Sequence, residues 1–381
     1  MRLGILAGVG CTRVAEVVRS ALGHTRRVLA SNLRTQRGNA EHRGARADRP
    51  CFGVASLRPR NPRMTNRRNA IGVLALAGTG GLAVRQSLTR RIPAKPRPPS
   101  RVAVLRCDSY DKAIQVVWDG LKLLSPAVRG KTVLLKPNLV EYSSTAPINT
   151  HPTVIAAAVD GLYRLGAAQV TVGEGPGHVR DTELLLEECG LGAALRDVGK
   201  ATYVDLNNDE VHRVPTTTSL TALAELWLPQ SLLAADVVIS MPKIKTHHWA
   251  GVTLSLKNLF GVVPGSVYGW PKNVLHWQGI DNSIVELAAT VPIHYVIADG
   301  VVAMEGNGPL HGHARDLGCL VFADDPVAAD ALCCGLMGIA QESIRHLVLG
   351  ASLGNPSPTD WLMCGERHEA LQQRFRVCPH I

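Results

Sequence analysis

The stretch VVISMPKIKTHHWAGVTLSLKNLFG, Val237 to Gly261, turns within a few residues from an unbroken apolar run to a row of lysines and histidines. A short apolar run of this kind reads as a strand buried on both faces, which is what a parallel sheet demands. Working outward, the same pattern recurs. TVLLKPN (132–138) ends on Lys136 and Asn138, and AQVTVGEGPG (168–177) carries Glu174. IHYVIADG (293–300) ends on Asp299, and GCLVFADDP (318–326) on Asp324 and Asp325. Between these runs, apolar residues fall at helical spacing over 110–124, 152–165, 182–189, 280–290 and 327–337. Such alternation predicts an α/β fold, a mostly parallel sheet with helices on both faces. Ligands of open α/β sheets bind outside the carboxyl ends of the strands, so five polar strand ends predict one shared site there.

The charge pattern narrows what that site holds. No Asp or Glu stands between Asp236 and Asp281, and no arginine between Arg213 and Arg315, yet Lys243, Lys245 and Lys257 fall in this window with His247, His248 and His276. Clustered ammonium groups at the end of a low-dielectric sheet repel one another unless an anion joins them. A small molecule bearing a carboxylate or phosphate is the expected partner. Lys136, Asn138, Lys243 and Lys245 are the candidate anion-binding residues. His247 is the candidate general acid or base, with Lys257 and Asn258 placing the reacting group. Glu174, Asp299 and Glu305 form the acidic half, either balancing the lysines or holding a divalent metal between carboxylates. His151, directly before a proline-started helix, His276, Gly306 and Asp325 are supporting candidates. The GEGPG loop (173–177) is not a complete dinucleotide fingerprint, since His178 occupies the sixth position, and neither a Walker A pattern nor a G-x-S-x-G elbow occurs.

Overall charge misleads at first. The 381-residue chain carries a net charge of +10, but residues 1–101 hold 21 Lys and Arg against 3 Asp and Glu, and the remainder 20 against 28. The basic balance therefore belongs to the N-terminal segment, and nucleic acid is not an expected partner. Residues 1–63 read as a basic, disordered extension. Met64 opens a segment, 64–91, in which Arg67-Arg68 precedes an apolar run too short to span a bilayer, the layout of a twin-arginine signal. That layout predicts export to the periplasm; a chance arginine pair would leave the protein cytoplasmic. IPAKPRPPS (92–100) reads as a linker, and 101–381 as the α/β domain. The nine cysteines are scattered without a C-x-x-C, so no iron–sulfur cluster is expected.

KPNLV (136–140), GEGPG (173–177), MPKIKTHHWAGVTLSLKNLFG (241–261), ADGVVAMEGNGP (298–309) with Gly312, and DDPVAADALCCGLMGI (324–339) together resemble the bacterial and archaeal domain-of-unknown-function family 362. The resemblance spans about residues 102–350. It implies no activity, because the family is defined without one. Many members resemble fusions to paired four-iron clusters, which implies a redox partner protein, and this chain departs from them in its scattered cysteines. Lysine and histidine on a glycine-rich α/β scaffold also resemble the nickel-pincer lactate racemase family in residue types, though not in an aligned motif. Two functions follow as expectations: an enzyme for a small anionic substrate, or an anion-binding carrier without chemistry.

Overall fold

The computed structural model describes residues 97–177 and 181–378; the expectations for residues 1–63 and for the twin-arginine-like segment 64–91 lie outside them. The end of the expected linker is held by the domain: Asn355 Nδ2 donates to the Pro98 carbonyl, 2.8 Å away, and the first strand already begins at Ser100.

The chain runs through β1 (Ser100–Arg106), α1 (Ala113–Leu124), β2 (Thr132–Pro137), α2 (Pro152–Arg164), β3 (Gln169–Glu174), α3 (Thr182–Glu188), α4 (Leu191–Val198) and β4 (Thr202–Asp205). A separate hairpin, β5 (Val211–Pro215) and β6 (Glu225–Pro229), leads through α5 (Gln230–Leu233) into β7 (Val237–Met241), β8 (Lys243–His247) and β9 (Gly251–Thr253). Four helices follow: α6 (Ser255–Asn258), α7 (Gly265–Tyr268), α8 (Asn273–Trp277) and α9 (Ile280–Thr290). The long strands β10 (Tyr295–Asn307) and β11 (His311–Ala323), then α10 (Pro326–Leu336), α11 (Arg345–Gly350) and β12 (Trp361–Gly365), complete it.

The main sheet has the order β12-β1-β11-β10-β7-β2-β3-β4. Every neighbouring pair from β10 to β4 is parallel, as the apolar runs predict. Side chains alternate between two cores. Val133, Leu135, Val172 and Ile239 face α1 and α2, while Leu134, Val238 and Val296 face α9 and α10. Both faces are thus covered by helices, which removes the strands from water at about 1.5–3 kcal/mol for each fully buried large aliphatic side chain.

Two features depart from the expected pattern. The residues after 300 and before 318, to which the apolar pattern assigns no element, extend β10 and β11 into a long antiparallel hairpin. Because β11 runs antiparallel to β10 and β1, its carboxyl end lies at the opposite edge from those of β2, β3, β7 and β10. Asp324 and Asp325 therefore do not share the predicted edge. Asp325 caps α10 instead, its Oδ1 accepting from Val327 N at 2.8 Å and Ala328 N at 3.2 Å, while Oδ2 accepts from Ser100 Oγ at 2.8 Å. That is a helix N-cap, with Pro326 in the first turn. The second departure is β8, which resumes after Pro242 and pairs with β10 at Asp299 and at Met304, on either side of a bulge at Gly300/Val302. The lysine row is thereby carried on a strand rather than a loop.

Candidate functional site

Along β8, alternate residues share a face, so Lys243, Lys245 and His247 form one row. The register sets Lys243 opposite Asp299 and Lys245 opposite Met304. Lys243 spends its charge there: Nζ lies 2.7 Å from Asp299 Oδ2 and 2.9 Å from Tyr110 Oη. Asp299 Oδ2 also accepts from His151 N at 2.9 Å, and the His151 ring stacks on Tyr110 with centroids 3.6 Å apart. Burial pulls His151 down to about 4, so its ring is neutral at physiological pH. These four residues form a buried anchor beneath the row.

Beyond the anchor lies a cavity of about 280 Å³, lined among others by Lys136, Lys245, Lys257, Lys272, Glu174 and His247. One wall is a chain of polar contacts from β3 to α6. Glu174 Oε2 accepts from Lys136 Nζ at 2.6 Å and from Leu139 N at 2.9 Å, and Oε1 accepts from Gly175 N at 3.0 Å. Lys136 Nζ also donates to Asn258 Oδ1 at 2.9 Å. Asn258 Nδ2 donates to the Lys136 carbonyl and to Ser240 Oγ, which fixes the amide's orientation. Asn138 must then offer its Nδ2 to Asn258 Oδ1, at 3.3 Å. Among the described residues its own Oδ1 is left buried without a partner, as is Thr253 Oγ1, and both residues line the cavity. A β-carbon at Gly261 would overlap Glu174 Oε1, so glycine there lets the Lys136–Glu174 pair form.

Three further lysines line the cavity. Lys245 Nζ donates to the Ile148 carbonyl at 2.7 Å and to that of Pro309 at 3.4 Å. Burial, then the ammonium groups of Lys257 and Lys243, hold it well below the usual lysine range. Lys272 donates to Asn207 Oδ1 and the Val263 carbonyl, and burial lowers it to about 8. Lys257, on α6, is pulled to about 7 by burial and by Lys136. Its Nζ sits 4.0 Å from the Phe260 ring centroid. Two backbone N–H groups of α6, those of Ser255 and Leu256, are accepted by Asp330 at 2.6 and 2.9 Å, so α10 positions the helix that bears Lys257 and Asn258.

Histidines line the cavity as well. His247 Nδ1 accepts from Trp249 N at 3.1 Å and Ala250 N at 3.2 Å, which places the proton of the neutral ring on Nε2. Burial, then Lys257, keep this imidazole uncharged. A ring in that tautomer offers a donor and not a base. His248 Nδ1 lies 2.7 Å from the Gly308 carbonyl, and Thr246 Oγ1 donates to that of Gly306, so β8 pins the tip of the β10–β11 hairpin over the cavity. Gly306 supports that tip in a left-handed conformation, φ 85°. His276 lines the wall below Trp249, their ring centroids 5.4 Å apart.

Of the sequence-derived candidates, Lys136, Asn138, Glu174, Lys245, His247, Lys257, Asn258 and His276 meet around the cavity. Lys243, Asp299 and His151 belong to the anchor, and Asp325 to the opposite edge. Glu305 is drawn away by Arg376, with 2.8 Å from Oε1 to Nη2. Each expected carboxylate thus has its own cation, and among the described residues no group of three or more His, Cys, Asp or Glu is placed to hold a metal ion. The sequence reading missed Lys272, Thr253 and Asp330. Lys272 lay within the same acid-free window but far from the lysine row. Asp330 sits in an apolar helical segment, where one carboxylate signals nothing until its partners are known.

An α/β protein whose strand ends enclose a small lysine-lined cavity is the class that this geometry defines. The chain belongs to the family described as domain of unknown function DUF362, whose model matches residues 133–335. A thylakoid-associated protein of Synechocystis sp. (strain ATCC 27184 / PCC 6803 / Kazusa) is 28% identical over 275 residues, covering 68% of this chain and 81% of that protein. The lactate racemase apoprotein of Thermoanaerobacterium thermosaccharolyticum superposes with a TM-score of 0.41 at 14% identity, over 64% of this chain and 58% of that one. A structural-genomics target from Thermotoga maritima gives 0.34 at 13%, over 55% of each chain. Likenesses of this size assign no chemistry. No helix among the described residues is long and apolar enough to cross a membrane.

Proposed function

We propose that the cavity is the active site of an enzyme for a small carboxylated or phosphorylated molecule. The observation that carries this reading is the imbalance of charge. Among the described residues, four lysines and one carboxylate, Glu174, line the cavity, and Glu174 is already bonded to Lys136. Lys245, Lys257 and Lys272 have no carboxylate within ion-pair distance among the described residues, and all three are held below the usual lysine range. Removing ammonium groups from water without a counter-ion is costly, and a ligand anion returns that cost as binding energy. In this reading Lys245 and Lys272 hold the anion, and the His247 Nε2–H and the free Asn138 Oδ1 orient the rest of the ligand as donor and acceptor.

A binding module without turnover needs the lysines only. Lys257 favours the enzyme, since it lines the cavity over Phe260 with no hydrogen-bond acceptor among the described residues and is brought down to about 7, the setting of an acid/base or nucleophilic amine. The test is to denature the purified native protein and identify the small molecules it releases by mass spectrometry. A carboxylate or phosphate in stoichiometric amount is expected; a retained neutral or cationic compound would overturn the reading. Arg67-Arg68 supports export as a separate proposal, and unchanged translocation of a fused reporter after both arginines are replaced by lysine would defeat it.

A further inference from the structure

Lys257 differs from the other cavity lysines in what its nitrogen touches. Lys136 Nζ donates to Glu174, Asn258 and the Pro137 carbonyl. Lys245 Nζ donates to two carbonyls, and Lys272 Nζ to Asn207 and a carbonyl. These hydrogen bonds fix each nitrogen and leave one proton of Lys245 and one of Lys272 for a ligand. Lys257 Nζ has no hydrogen-bond acceptor and no carboxylate within ion-pair distance among the described residues, and it lies over the face of Phe260. The helix carrying it is not loose: Asp330 holds two of its backbone N–H groups, and Asn258 is fixed in the Glu174–Lys136 chain. A well-held backbone thus presents an amine with unengaged protons into a cavity whose other lysines are each fixed by at least two acceptors.

We propose that Lys257 is a nucleophilic amine that forms an imine with a small oxo acid, the acid group lying against Lys245 and Lys272. The inference rests on the anion-site reading above and names its substrate class: a carbonyl compound that also carries an anionic group. The neutral amine attacks the carbonyl carbon, a C–N bond forms, and the carbonyl oxygen takes up a proton to give a carbinolamine. Loss of that oxygen as water, with the protons originally on nitrogen, leaves C=N. No oxidant or reductant enters. Burial and the Lys136 charge, which bring Lys257 to about 7, supply the neutral amine at physiological pH, one of the recognised ways of activating such a lysine. The surrounding ammonium groups would then stabilise the negative charge that develops when an electron pair is drawn toward the imine.

The experiment treats the full chain with pyruvate and cyanoborohydride near pH 7.5, followed by peptide mapping. Each trapped imine adds the mass of the probe less one oxygen atom. Label concentrated on the peptide holding Lys257 is expected, with little from acetone, which has the carbonyl without the anion. Lys257→Arg keeps the positive charge and should lose the label while still showing anion-induced thermal stabilisation. No label on Lys257 in the wild type, from pyruvate, glyoxylate or 2-oxoglutarate, would overturn the imine. So would equal labelling by acetone, or label spread evenly over surface lysines. If wild-type labelling fails while phosphate or citrate still raises the unfolding temperature, the anion site stands and only the imine falls. If neither is seen, the anion-site reading falls with it.

Discussion

Two lysines that look equivalent in the sequence, Lys243 and Lys245, differ completely in what they do for the fold. Lys243 is the counter-ion of the fully buried Asp299, so Lys243→Ala leaves a buried carboxylate without its cation, a change that costs about 3–5 kcal/mol. Lys245 has no carboxylate partner among the described residues, and Lys245→Met should hold or raise the stability of the ligand-free protein. Thermal unfolding of the two variants checks this, and equal losses would contradict the assignment. Lys257 carries a pH signature. Folding lowers it from the ordinary 10.5 to about 7, so between those values the unfolded chain binds more protons and the Lys257 contribution makes stability rise with pH. The penalty is complete below about 7 and gone above 10.5. Lys257→Met should therefore be more stable than wild type at pH 6, with the gap closing toward pH 10. Asp330, raised by burial to about 7, acts with the opposite sign and only below that value, so the alkaline window separates the two. A gap independent of pH would show that Lys257 titrates normally.

At the scale of elements, the least independent piece is α6. Four residues cannot sustain a helix by themselves, and its N-terminal N–H groups are satisfied from α10. Asp330→Ala leaves two buried donors without partners, at about 1–3 kcal/mol each, and also frees the segment that aims Lys257 and Asn258. Asp330→Asn offers one acceptor oxygen in place of two and should fall between. Calorimetric unfolding with anion titration would read both effects. Loss of stability with anion affinity unchanged would mean that α6 does not position the cavity. The β10–β11 hairpin shows why part of the architecture was hidden. Its outer half, VAMEGN against HGHARD, is irregular in polarity and broken by glycines, so periodicity gives no strand signal there. Only pairing across the bulge makes it one. The interior strands were legible because burial on both faces forces unbroken apolar runs.

For the whole molecule, the parallel core, the helices on both faces and the edge bearing the cavity could be read from the alternation of runs. Direction could not: nothing in GCLVFADDP says that its strand runs against its neighbours, so Asp325 was grouped with residues at the other edge. Pairing was equally invisible. Glu305 and Asp299 looked like members of one acidic set until Arg376 and Lys243 were seen to claim them. Contacts of the fold reach back into residues 97–100. Ser100 Oγ and the Pro98 carbonyl are bonded to Asp325 and Asn355, so a chain of residues 97–381 should unfold cooperatively at the temperature of the full chain, whereas 102–381 should melt lower. Identical melting of the two truncations would show that these contacts contribute nothing.

The central claim is that an anion supplies the charge the cavity lacks, and isothermal titration of phosphate and citrate into wild type and Lys245→Met tests it directly. A charge-assisted hydrogen bond to a ligand anion is worth about 1.5–3 kcal/mol, so the account predicts saturable binding by the wild type and an affinity roughly ten- to a hundredfold weaker in the variant. Binding of equal strength in both, or none in either, would contradict it.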